Sequence, residues 1–274
     1  MPASQGEKAE RFQALHRRAG AFVVANPWDA GSARVLAALG FEALATSSGA
    51  CAGTLGKRDG AVTRDEALAH ARMIVKATDL PVSADLERGF ADAPADVAET
   101  ILLAAGTGLV GASIEDATGR ADMPLYGLDQ AVARIRAAAE AARSLGFPFL
   151  LTARAEGFLR GEPDLAGTIA RLRAYEEAGA DVLFAPGLPD LEAVRMVCTA
   201  LSKPFNFMAG IKGKSFAVAE LAAAGVKRVS VATSLYRMAM TGLIDAAREV
   251  REAGTFGYVE RALPTPQLNG FMQG

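Results

Sequence analysis

Apolar runs of five or six residues recur along the chain and alternate with longer stretches in which Ala, Leu and charged residues repeat at helical spacing. Eight of these runs predict strands: 21–25, 42–46, 81–85, 109–114, 148–153, 181–185, 204–208 and 227–232. They are continuously apolar rather than alternating, which predicts burial on both faces and hence a parallel sheet. Helical spacing predicts helices over 30–39, 64–78, 93–106, 128–145, 165–178, 189–201 and 215–224, and a long one over 234–252. Gly40, Gly179 and Gly225 stand where three of these helices stop, and a glycine there takes the left-handed cap conformation without a Cβ clash. Thr63 and Glu66 have the spacing of a capping box that opens the helix at 64.

Eight β/α repeats are the number that closes a (β/α)₈ barrel. The alternative, an open doubly wound sheet, lacks its glycine fingerprint: Asn26-Pro27-Trp28-Asp29 follows the first strand instead. A chain of 274 residues fits one barrel domain. In this reading 1–20 is an N-terminal helix, 21–233 the barrel, and 234–274 a C-terminal helix and tail that docks on the barrel or is exchanged between subunits.

Composition narrows the function. A net charge of −2, with no run of four like charges, argues against a nucleic-acid surface. No apolar stretch reaches the length of a membrane span, and the polar N-terminus is not a signal peptide. Two cysteines, Cys51 and Cys198, make no disulfide framework, so a reducing, cytoplasmic setting is expected. His16 and His70 fall in charge-rich helical segments and read as surface residues.

Chemistry concentrates where the strands stop. Ser83-Ala84-Asp85-Leu86-Glu87 closes the third, and Ser113-Ile114-Glu115-Asp116 the fourth. Four carboxylates at two consecutive strand ends are costly to bring together unless a cation neutralises them. Oxygen donors without nearby Cys or His favour Mg²⁺ or Mn²⁺ over Zn²⁺. In a (β/α)₈ barrel the site lies at the C-terminal strand ends. Those ends add Trp28, Ser47-Ser48-Gly49, Arg154 and Asn206, with Asp59 in the loop after the second strand. Ser47, Ser48 and Gly49 offer hydroxyls and open backbone amides, suited to a carboxylate or an enolate oxygen, or else they form an ordinary turn. Arg154 can fork onto a carboxylate, or pair with Glu156 or Glu115. Trp28 is either a substrate contact or a core aromatic.

Together these segments resemble the isocitrate lyase/phosphoenolpyruvate mutase superfamily. The resemblance runs through Asn26-Pro27-Trp28-Asp29, Thr46-Ser47-Ser48-Gly49, Leu55-Gly56-Lys57-Arg58-Asp59, Asp85-Leu86-Glu87-Arg88-Gly89, Ser113-Ile114-Glu115-Asp116 and Thr152-Ala153-Arg154-Ala155-Glu156. It implies a Mg²⁺-dependent enzyme that makes or breaks a bond beside the carbonyl of a 2-oxo or 2-hydroxy acid, through an enolate. It also implies roles. Asp85 resembles the direct metal ligand, and Glu87 and Glu115 ligands acting through water. Ser47, Ser48 and Gly49 resemble the carboxylate and oxyanion cradle, Asp59 the loop acid near the metal waters, and Arg154 the substrate anchor. Asn206 is matched by its strand alone. The family's tetramers of helix-exchanging dimers imply a homo-oligomer, a dimer or tetramer.

Two departures bear on the reaction. The loop Asp116 to Tyr126 lacks the Cys of the lyases and the Lys of the phosphonate enzymes, and Ala45 replaces an aromatic, which opens the pocket. Decarboxylation of a β-keto acid such as oxaloacetate needs no protein acid and is the expected reaction. Cleavage of a substituted malate, with Tyr126 or Arg120 taking part, comes next. Carbon–phosphorus chemistry, a barrel that binds 2-oxo acids without turnover, and an unrelated Mg²⁺ aldolase are the alternatives.

Overall fold

A computed structural model describes residues 3–273. Its eight strands are β1 (Phe22–Val24), β2 (Leu44–Ala45), β3 (Val82–Asp85), β4 (Gly111–Glu115), β5 (Leu150–Arg154), β6 (Val182–Phe184), β7 (Phe205–Met208) and β8 (Arg228–Ser230). All pair in parallel in the order β1-β8-β7-β6-β5-β4-β3-β2. A parallel bridge between Ala25 and Leu44 joins the two ends, so the sheet is a (β/α)₈ barrel. Each predicted strand is present. The second is trimmed to two residues, because only Leu44 and Ala45 find ladder partners on β3.

The helices are α1 (Gln5–Arg17), α2 (Ala30–Ala38), α3 (Ser48–Thr54), α4 (Arg64–Ala77), α5 (Pro94–Ala105), α6 (Leu128–Arg143), α7 (Leu165–Glu177), α8 (Leu191–Ala200), α9 (Val218–Ala223), α10 (Ser234–Arg248) and α11 (Thr265–Phe271). The helix predicted over 215–224 shortens to α9. The long helix predicted over 234–252 runs as α10 and then widens into a π-helical turn, Glu249–Ala253. Ser47-Ser48-Gly49 is not a free turn: Ser47 caps the short α3, which begins at Ser48.

The core is continuous through the barrel and its helical ring. A second cluster closes the N-terminal ends of the strands, where Ala9, Phe12 and Leu15 of α1 meet Phe22, Val24, Val110 and Leu150. His16 belongs to this plug. It is buried, stacked edge-on against Phe12 and Phe22, and its Nδ1 lies 2.8 Å from the Phe12 carbonyl. His70 is buried as well, its Nε2 2.8 Å from the Trp28 carbonyl. Neither is a surface residue, because each fills the inner stripe of an amphipathic helix. At the other end of the chain the tail docks on α2, where the Arg34 guanidinium bonds the Met272 carbonyl. Among the described residues no helix is long and apolar enough to cross a membrane.

Candidate active site

β4 and β5 end together, with Glu115 opposite Arg154 in the ladder, and β3 ends one strand away with Asp85. Register therefore gathers the charges. Arg154 Nη1 stands 3.5 Å from Asp85 Oδ2 and 3.5 Å from Glu115 Oε2, and its Nε donates to Glu156. The guanidinium also lies over the Phe184 ring, 5.0 Å from its centre. Arg160 reaches the same acids, 3.5 Å from Glu115 and 3.4 Å from Glu156. Burial opposes charge on Arg154, but Glu156, Glu115 and Asp85 hold its guanidinium firmly protonated. Burial pushes the Glu115 carboxyl up.

Asp85 Oδ1 accepts the Glu87 amide at 3.1 Å, and Oδ2 faces the Ser48 amide at 3.4 Å. The Asp85 amide in turn donates to Thr46 Oγ1 at 3.1 Å. Glu87 takes a left-handed backbone conformation, φ 49°, a strained one for a residue with a side chain. Burial, then the neighbouring Asp85 and Asp59 charges, push its carboxyl up to about 7. Ser47 makes no side-chain cap bond. Gly49 is closely packed: a Cβ there would lie 2.8 Å from Thr233 and 3.1 Å from Asp59.

Asp59, Glu87, Glu115, Ser48, Arg120 and Arg160 line the outer mouth. Asp85, Ser47, Arg154 and Asn206 line the space that leads inward from it. Asp116 is not part of this cluster. It is buried behind the strand ends, accepting from the Glu156 amide at 2.8 Å and Tyr175 at 2.6 Å, with Arg171 3.3 Å away. Trp28 stands apart too, lining a separate cleft with His70 and Tyr236. Tyr126 is fully buried, bonded to Asp92 and stacked under Arg134, so it does not reach the mouth. Arg160 and Arg228 lie outside the sequence motifs that point to the site. For Arg228 a signal existed: a charge inside an apolar strand is rare enough to ask what it serves.

The donor set suits a hard divalent cation, being carboxylate oxygen throughout. Glu87 is raised by burial first and by its like-charged neighbours second. Among the described residues no three acids, histidines or cysteines close into a ready-made cage. Arg154 instead sits between Asp85 and Glu115.

The fold and this acid-and-arginine mouth define a class of barrel enzyme. The family model described as phosphoenolpyruvate phosphomutase matches residues 12–251. An oxaloacetate decarboxylase of Pseudomonas aeruginosa is 30% identical over 258 residues, 92% of this chain and 88% of that protein. A provisionally described lyase/mutase of Burkholderia cenocepacia J2315 is similar in structure at TM-score 0.97 and 53% identity, covering 98% of each chain. A 2,3-dimethylmalate lyase structure follows at TM-score 0.86 and 27% identity, covering 97% of this chain and 94% of its own. The chain belongs to the phosphoenolpyruvate phosphomutase family, and so to the isocitrate lyase/phosphoenolpyruvate mutase superfamily of enzymes.

Proposed function

We propose that the protein is a Mg²⁺-dependent carbon–carbon lyase acting on a small 2-oxo or 2-hydroxy carboxylate, and that its reaction is decarboxylation of an oxaloacetate-type β-keto acid. The observation that carries this reading is a strand-end arginine, Arg154, ringed by oxygen donors and faced by a loop, 117–123, without thiol, imidazole or amine. Relatives described as oxaloacetate decarboxylases support cleavage of a carbon–carbon bond.

In this reading Asp85 would be the direct ligand of the cation, with Glu87 and Glu115 as the ligands that would act through water. When bound, the cation supplies Lewis-acid polarisation of the 2-oxo group. Arg154 anchors a substrate carboxylate, and Asn206 walls the inner side. Ser47 and the amides of Ser48 and Gly49 receive the charge that develops on the 2-oxo oxygen. Asp59 orders water at the mouth. The bond from C3 to its carboxylate breaks, carbon dioxide leaves, the electron pair passes into an enolate, and water returns a proton to C3.

The test is incubation with Mg²⁺ and oxaloacetate, phosphonopyruvate, 2-methylisocitrate, isocitrate or dimethylmalate, assaying pyruvate, glyoxylate and phosphate. Metal-dependent pyruvate from oxaloacetate, lost in Asp85→Ala, is expected. Phosphate from phosphonopyruvate would move the reading to carbon–phosphorus chemistry. No product from a folded protein would leave a binding barrel.

Two further readings accompany this one. The free thiols Cys51 and Cys198 suit a reducing compartment such as the cytoplasm. The apolar face of α10 suits a homo-oligomer, since Met238, Leu243 and Ile244 are exposed on it and none of its residues is buried.

A further inference from the structure

Beneath the strand-end acids the barrel interior holds a cavity of about 60 Å³, where Ser83, Ser113 and Ser230 stand beside the apolar Val24, Phe184 and Met208. Its wall also holds Arg228, which is only 6% exposed. Arg228 Nε donates to Asn206 Oδ1 at 2.8 Å, and Nη2 donates to Thr152 Oγ1 at 2.9 Å. Both partners are neutral. Among the described residues Arg228 enters no ion pair, whereas Arg154 above it is enclosed by three carboxylates. Burial pulls the Arg228 guanidinium down to about 9, and no carboxylate offsets that pull.

The neighbouring His16 does not compensate. It is held neutral, and its Nε2 has no hydrogen-bond partner. A charge buried without a counter-ion is destabilising unless something supplies the opposite charge. Of the charged groups that line the cavity, Arg154 and Arg228 face Asp85 alone, so its wall carries surplus positive charge. A water needs roughly 10–15 Å³ of such space, so the cavity takes a carboxylate-sized group and not a second whole substrate.

We propose that Arg228 is a second anion-binding point, which takes the far carboxylate of a dicarboxylate substrate inside the barrel and so selects dicarboxylates over monocarboxylates. The proposal rests on the reading of the protein as a lyase of small carboxylates. The chain's own residues supply the recognition: the Arg228 guanidinium, steered by Asn206 and Thr152, with Ser113 and Ser230 as neutral walls.

The experiment titrates the Mg²⁺-loaded full chain with succinate and with propionate, followed by thermal shift, for the wild type, Arg228→Met and Ser113→Leu. Met keeps the length of Arg without its charge, and Leu at 113 fills the cavity with Arg228 intact. We expect the wild type to prefer succinate. Each variant should bind succinate about tenfold more weakly, the scale of one charge-assisted contact, with propionate within about twofold. Equal loss of both ligands, or unchanged succinate binding in a folded variant, overturns the proposal. If Arg228→Met does not fold, Ser113→Leu decides. Because the readout is binding, it stands apart from the oxaloacetate assay: failure of turnover counts against the reaction, and failure of succinate discrimination counts against the subsite.

Discussion

His16 shows what a single buried side chain does to stability. Its imidazole is packed between Phe12 and Phe22, and burial, then the Arg228 charge, pull it down to about 3. The unfolded chain binds a proton near pH 6.5 and the folded one does not. Stability from this group is therefore complete above pH 6.5 and is lost as pH falls toward 3, by about 1.4 kcal/mol per unit across that window. Urea unfolding between pH 7 and pH 4 should show the slope, and His16→Leu should flatten it. A slope identical in the variant would mean that other groups carry the acid sensitivity. At this scale the candidate site was partly legible. Asp85, Glu87, Glu115 and Arg154 could be picked out because acids and an arginine at the ends of apolar strands are chemically conspicuous. Asp116 could not be told from them, since adjacent residues on a strand point to opposite faces and only the packing shows which face Tyr175 and Arg171 occupy.

At the scale of elements, local signals decide boundaries. The Thr63 hydroxyl accepts the Glu66 amide at 3.3 Å and the Glu66 carboxylate accepts the Thr63 amide at 2.8 Å, so both open donors at the start of α4 are satisfied. Thr63→Ala should cost about 1 kcal/mol of unfolding free energy, measured by urea denaturation at pH 7. An unchanged midpoint would show that tertiary packing alone holds that helix end. The cap was readable because three residues of spacing suffice to encode it. The short α3 was not readable: Ser48-Gly49-Ala50-Cys51-Ala52-Gly53-Thr54 has two glycines and no helical stripe, and close approach to neighbouring groups holds it in place. Gly53 is the clearest case, since any Cβ there would collide with the Tyr236 ring of α10. Gly49, packed against Thr233 and Asp59, is the same device beside the site.

For the whole molecule, α10 and the segment after it carry a run of exposed apolar residues. Met238 is 69% exposed on α10 and Phe256 is 62% exposed just beyond it. If this face is an interface, light scattering after gel filtration should give a multiple of the 28.4 kDa chain mass, and Met238→Asp with Leu243→Asp should shift it toward that mass. A wild-type species already at the single-chain mass would exclude the interface. By itself the sequence determined the eight β/α repeats and their order, because strand burial, helix spacing and end caps are local properties written in residue type. It also determined that acids and an arginine lie at the strand ends, because alternation of elements dictates which residues those are. Only the tertiary structure decided which of these groups meet. Barrel register sets Arg154 between Asp85 and Glu115, turns Asp116 and Trp28 away, and brings Arg228 of β8 to Thr152 of β5 across the interior. Those juxtapositions depend on strand stagger and closure, which link residues far apart in the chain and which no local pattern encodes.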